Sequence, residues 1–319
     1  MQDRLDRLTP ACSRVGRMGE QVAVGLVGAG PWAGMVHAPA LAAGPETRLA
    51  GVWARRPEAS AELAGRHGAP SFARLEELFD ACEAVAFCVP PDVQADLAAR
   101  AARAGKAVLL EKPLALDLDG ARRLAGAIGE AGVASQMVFT LRYARAARDF
   151  LERARGLEAF GGYGSFVSSA LSGGPFATPW RLEHGALLDL GPHVVDLLDA
   201  ALGRVVGVRA HGDPLGWVGL TLDHDGGAVS QASLSMAGGG ELPPTRIEVY
   251  GRRGYALLDR SELGDDAFAT MIAEFAATAR SGGGHPLDAA HGLRVQEVLA
   301  TAGAQLAGAR TARIDNYSD

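Results

Sequence analysis

An apolar run, Val22–Val27, leads directly into Gly28-Ala29-Gly30-Pro31-Trp32-Ala33, and a helical stretch, Trp32–Ala43, follows. This G-x-G-x-x-A spacing at a strand-to-helix junction constrains the chain more than any other feature. The first glycine permits a tight turn and the second lets the backbone approach a pyrophosphate. The helix N-terminus beyond it offers free amides and a dipole that favours negative charge. The motif is weak in isolation, but here it heads a βαβ unit, the context it requires. It predicts a dinucleotide-binding turn, rather than a merely structural one, at Gly28, Gly30, Pro31 and Trp32.

The rest of the N-terminal half agrees with that turn. Apolar runs at Arg48–Ala54, Ala84–Val89, Ala107–Leu110 and Val133–Phe139 alternate with helical stretches at Glu58–His67, Leu75–Asp80, Val93–Arg103 and Leu116–Glu130. Strands without polar alternation, separated by helices, predict a parallel sheet covered on both faces. Near residue 140 the pattern changes. Helices are expected at Arg142–Arg155, around Leu187–Leu202, and at Ala267–Arg280 and Ala289–Gly308. Alternating runs at Gly164–Ser172, Val205–His211, Trp217–Asp223, Ala228–Met236, Thr245–Tyr250 and Ala256–Asp259 read as strands. The expected fold class is α/β. A doubly wound parallel Rossmann sheet spans 19–139, and an α+β domain with a largely antiparallel, open sheet spans 140–319. Residues 1–18 are charged, lack the apolar stretch of a secretory signal and read as a loose extension.

Composition excludes several functions. A net charge of -6, with 31 basic and 37 acidic residues, leaves no basic stripe for nucleic acid. No apolar run reaches the roughly 18 residues that span a bilayer. Cys12, Cys82 and Cys88 have neither metal-ligand spacing nor a disulfide framework, so no metal is expected and a reducing cytoplasm fits. Cys88 is expected in the core.

Two further constellations carry chemistry. The second strand ends Trp53-Ala54-Arg55-Arg56, without the acidic residue that usually holds a ribose 2′-hydroxyl. Arg55 and Arg56 can instead pair with a 2′-phosphate, which favours NADP(H) with NAD(H) as the alternative, unless they are only a solvated turn. Glu111-Lys112-Pro113 follows the strand Ala107–Leu110, and parallel sheets bind ligands beyond their carboxyl ends. Lys112 there can exchange a proton with a substrate hydroxyl, or be a solvated strand-end lysine. Asp189 and His193 are four apart and share a helical face, with Gly191-Pro192 expected to kink the helix between them. The pair can orient a substrate and relay a proton, or serve as cap and core.

Taken together and in order, Gly28–Ala33, Glu111-Lys112-Pro113, Asp189-x-x-x-His193 and the ending Pro286–Glu297 resemble the glucose–fructose oxidoreductase/inositol dehydrogenase/MocA family, over residues 21–315. The resemblance implies a Rossmann domain and an α/β domain whose open sheet supports substrate binding and homo-oligomers, dimer or tetramer. It implies hydride transfer at a carbon of a sugar, keto-sugar or cyclitol, with Lys112, Asp189 and His193 as catalytic residues. Pro90, Glu111 and Lys112 join the expected cofactor contacts. Arg142, Trp180, Arg181 and His184 are the expected substrate contacts, with a helix-start ion pair as the alternative for Arg142 and a surface or capping role as the alternative for His184. There are departures: Gln94 stands where the family often has a histidine, and Trp180–Gly185 is compressed and carries Glu183 and His184. Two other activities remain open: a hydrolase or lyase that oxidises its substrate transiently on a retained nicotinamide, and a non-catalytic dinucleotide sensor.

Overall fold

The computed structural model describes residues 21–174, 177–262 and 266–308. The extension expected over 1–18 lies outside the described residues.

Five strands form the first sheet: β1 (Val22–Val27), β2 (Thr47–Trp53), β3 (Ala84–Phe87), β4 (Ala107–Leu110) and β5 (Ser135–Met137). All pairings are parallel, in the order β2-β1-β3-β4-β5. β1, β3 and β4 are buried at every residue, because helices cover both faces, and this is why their sequences lack polar alternation. Ser71 makes a single parallel bridge to Val52 beyond β2, so one more strand position of the sheet is reduced to one residue. The order reverses between β1 and β3, and open α/β sheets bind ligands at such a point.

The second sheet has six strands: β6 (Ala159–Val167), β7 (Val205–Gly212), β8 (Val218–His224), β9 (Val229–Ser235), β10 (Arg246–Gly251) and β11 (Gly254–Asp259). The order is β11-β10-β6-β9-β8-β7, antiparallel except for the β6–β9 pair. The helix Gly191–Leu202 covers one face of this sheet through Val194, Leu198 and Leu202. The two C-terminal helices, Ala267–Ser281 and Ala289–Gly308, return to the first sheet. Met137 N donates to Leu287 O at 2.7 Å, and Gln136 Nε2 donates to Met271 O at 3.0 Å.

Several boundaries differ from expectation. The strand expected at Gly164–Ser172 runs instead from Ala159 to Val167, and Ala170–Ser172 is a 3₁₀ turn. Gly161, Gly162 and Gly164 erase the apolar alternation there. A Cβ on Gly164 would come within 2.5 Å of Val194, so the helix packs directly on bare backbone. The helix expected from Arg142 begins at Arg145, after a 3₁₀ turn at Thr140–Tyr143 and an extended Ala144. The helical stretch after the glycine turn opens as one π-helical segment, Ala33–His37, before Ala38–Ala42.

Candidate active site

The carboxyl ends of β1, β3 and β4 converge on a cleft of about 520 Å³ that also reaches the second sheet. On its dinucleotide side, Gly30, Pro31 and Trp32 meet Pro90 and Pro91, with Cys88, Glu111 and Gln94 below them. On the other side stand Lys112, Asp189, His193, Arg181 and Trp180, joined by Phe166, Ser168 and Arg260 from the second domain.

The two glycines of the turn do different work. Gly28 is buried with φ +120°, and a Cβ there would lie 2.1 Å from the Cys88 carbonyl oxygen. Only glycine lets β1 and β3 end side by side in this way. A Cβ on Gly30 would meet nothing within 4 Å, so its backbone stays open to a close ligand. That cradle fits a dinucleotide pyrophosphate, which Gly28, Gly30, Pro31 and Trp32 would hold. Arg55 and Arg56 are exposed just beyond β2 and do not line the cleft.

Glu111 is clamped from several directions. Its Oε1 accepts from Trp32 Nε1 at 2.9 Å and is hydrogen-bonded to His37 Nε2 at 2.7 Å; Oε2 accepts from the Lys112 backbone N–H. Gln94 holds the same turn by its backbone. Its Nε2 donates to the carbonyls of Glu111, Pro113 and Leu114, and its Oε1 accepts from Glu111 N at 2.9 Å. The Lys112–Pro113 peptide is cis. The glutamine noted as a departure is therefore the brace of the lysine turn, a role no spacing argument reveals.

Lys112 Nζ donates to Asp189 Oδ1 at 2.7 Å and to the Asp189 carbonyl oxygen at 2.9 Å. Arg181 Nε faces Asp189 Oδ2 at 3.1 Å, and its guanidinium lies 4.5 Å over the Trp180 ring. Burial by itself would raise the Asp189 carboxyl, but Lys112 and Arg181 outweigh it and hold the group at about 2. Burial, with Lys112 second, pushes the His193 imidazole well below its usual range, and the Asp189 charge only partly opposes this. His193 is thus a neutral ring, packed against Phe166 at 6.1 Å between centroids. Asp189 and His193 do not share one kinked helix. One helix, Pro179–Asp189, ends where the next, Gly191–Leu202, begins, and the first is itself broken at Gly185.

Two expected substrate contacts lie elsewhere. Arg142 Nη1 donates to Asp196 Oδ1 at 2.7 Å, and the same oxygen is hydrogen-bonded to His291 Nε2 at 2.6 Å. This ties Arg142 to Asp196, away from the cleft lining. His184 is also off the lining, 4.0 Å from Glu183. Cys88, expected in the core, packs against it and also lines the cleft floor. Atoms of His37, Cys88 and Glu111 come within 4.8 Å of one another, a donor set that the sequence does not announce. The His37–Glu111 hydrogen bond occupies two of them, and burial keeps Cys88 as a thiol. The sequence also does not single out Phe166 and Ser168, at and just beyond the end of β6, or Arg260, in the 3₁₀ turn just after β11.

Residues 22–139 match an oxidoreductase family with an NAD-binding Rossmann fold, GFO/IDH/MocA, and residues 158–257 match the GFO/IDH/MocA C-terminal domain. The chain is 36% identical to inositol 2-dehydrogenase of Rhizobium meliloti (strain 1021) over 124 residues, 38% of this chain and 37% of that protein. It is 28% identical to glucose-6-phosphate 3-dehydrogenase of Bacillus subtilis (strain 168) over 189 residues, 55% of this chain and 52% of that protein. The matched regions thus span between about a third and about half of these relatives. The solved structure of GenD2 from gentamicin A biosynthesis, in complex with NAD, superposes with a TM-score of 0.79 at 26% identity, covering 95% of this chain and 98% of that one.

Proposed function

This chain belongs to the GFO/IDH/MocA oxidoreductase family, and from that premise we propose that it transfers hydride between NADP(H) and a carbonyl or secondary alcohol of a small polyhydroxylated molecule. The observation that carries this reading is the Lys112–Asp189 pair, at 2.7 Å, at the junction of the dinucleotide cradle and the wider cleft. The nicotinamide would supply or accept the hydride. Lys112 Nζ exchanges the proton with the substrate oxygen. Asp189 fixes the ammonium in place, and neutral His193 offers a ring nitrogen for a substrate hydroxyl. Two relatives similar in sequence are named as dehydrogenases of a cyclitol and a sugar phosphate, which supports a polyhydroxylated substrate. NADP(H) is favoured over NAD(H) because exposed Arg55 and Arg56 follow β2 with no acidic residue beside them.

A panel of polyols and keto-sugars, followed by nicotinamide absorbance with each cofactor, tests the reading. Lys112→Ala should lower turnover by roughly 10²–10⁴-fold while cofactor binding persists, as expected for loss of a proton-transfer group. Unchanged turnover in that variant defeats the assignment. Stoichiometric consumption of cofactor separates this activity from transient oxidation on a retained cofactor.

No helix among the described residues is long and apolar enough to cross a membrane. A cytoplasmic enzyme fits that and the reading of the cysteines as a reducing-compartment set. A homo-oligomer formed through the uncovered face of the second sheet fits the exposed apolar side chains there. Tyr250 pairs with Tyr255, and both lie opposite the helix-covered residues Val249 and Ala256.

A further inference from the structure

We infer that the substrate carries an anionic group, a carboxylate or a phosphate, seated between Arg181 and Arg260. This rests on the hydride-transfer reading above and narrows its substrate class.

The charges in the substrate half of the cleft do not balance. Lys112, Arg181 and Arg260 line it against one carboxylate there, Asp189; the other carboxylate of the cleft lining, Glu111, is held on the dinucleotide side by Trp32 and His37. Asp189 already serves two cations, Lys112 at 2.7 Å and Arg181 at 3.1 Å. Arg260 has no carboxylate partner among the described residues. Its neighbour Asp259 is taken up by Ser261 and, at 3.8 Å, by Arg246. His193 adds no charge, since burial keeps it neutral. Arg260 is nonetheless held over the cleft, 5.4 Å above the Phe166 ring, which in turn packs on His193. The pair of guanidinium groups therefore flanks the catalytic end of the cleft.

The hydrogen-bond inventory agrees. Buried polar atoms are almost always paired in a folded protein, so unpaired ones mark a place where a ligand completes the set. Ser168 Oγ and His193 Nδ1 are buried without a hydrogen-bond partner, and both residues line this cleft; Arg181 Nε, also buried, has only its ion-pair contact to Asp189. A hydroxyl and a guanidinium N–H donate to anionic oxygens. Guanidinium groups present planar paired donors that match carboxylate and phosphate oxygens. A neutral polyol would leave the excess positive charge of the cleft uncompensated, whereas an anion would be drawn in by it.

The test uses protein loaded with NADP(H), so that the pyrophosphate cradle is filled. Inorganic phosphate and malonate are titrated separately, with the emission of Trp180 and the other tryptophans as readout. Wild type should bind at least one of them in the millimolar range, and the two titrations tell phosphate from carboxylate. Arg260→Gln should weaken binding roughly tenfold or more, as expected for loss of a charge-assisted contact. Arg260→Lys should retain part of it. Arg209→Gln, whose arginine is paired with Asp223 on the second sheet, should leave binding unchanged. Absence of binding by wild type up to tens of millimolar overturns the proposal, as does equal binding by Arg260→Gln. Lys112→Ala turnover reports on hydride transfer separately: anion binding beside a failed turnover assay sinks only that reading, and turnover without anion binding sinks only this one.

Discussion

His193 sits where burial and a neighbouring ammonium both oppose a positive ring, so its protonation is linked to folding. The ordinary imidazole value is 6.5. Below it the unfolded chain protonates His193 and the folded chain does not. The unfolded state then binds more protons, so stability falls as the pH drops below 6.5. This one group contributes a slope of at most about 1.4 kcal/mol per pH unit. Urea unfolding on either side of that pH should display the slope in wild type and lose it in His193→Gln. Identical pH dependence in both proteins would assign the effect to other groups. Lys112, Asp189 and His193 were legible in the sequence because each belongs to a short local pattern. Which reading of Arg142 holds was not, because its partner Asp196 lies 54 residues further on and His291, which shares that carboxylate, another 95. Arg260 was equally hidden, since an arginine at a strand end looks like any solvated one until the fold brings Phe166 beneath it.

Between single residues and the whole lies the broken helix Pro179–Asp189, which delivers Trp180, Arg181 and Asp189 together. Its break at Gly185 has φ +63° and ψ −153°, and a Cβ there would come within 2.0 Å of the Pro214 carbonyl oxygen. That carbonyl accepts the N–H of Ala186 at 2.9 Å, so the glycine lets a loop of the second sheet stitch the kink in place. Gly185→Ala should destabilise the protein by roughly 2–4 kcal/mol through positive φ and overlap. Substrate KM should rise while cofactor affinity stays near wild type. Thermal unfolding and cofactor titration check both parts, and a variant with wild-type melting and wild-type KM would dismiss the role. The sequence hid this break because it hid the helix before it: only the stretch around Leu187–Leu202 reads as helical, whereas the helix begins at Pro179. Gly191-Pro192, the expected kink, instead opens a new helix, since proline is tolerated in a first turn. The parallel strands were legible for the opposite reason: burial on both faces leaves an unbroken apolar signature, which the glycine-rich β6 lacks.

At the scale of the molecule, helices among the described residues cover only one face of the second sheet. Tyr255 is 69% exposed on the other, beside Tyr250, at the end of the sheet where β10 and β11 pair. Tyr255→Glu should shift sedimentation from an oligomer toward a monomer, because a charge there must be desolvated on contact. A wild-type protein that already sediments as a monomer defeats the expectation. The two-sheet architecture itself was readable from periodicity, whereas the way the last helices reach back across it was not. Those helices have a consequence for how the chain comes together in time. The outer edge of β5 finds its partners only at Met271, Leu287 and Ala289. A ribosome that has emitted the whole dinucleotide half still holds a sheet with one raw margin. That margin is closed only by residues more than 130 positions further along the chain, and the same segment also buries His291 against Asp196. Closing the edge of the first sheet and completing the cleft's supporting frame therefore await the same segment, residues 271–291.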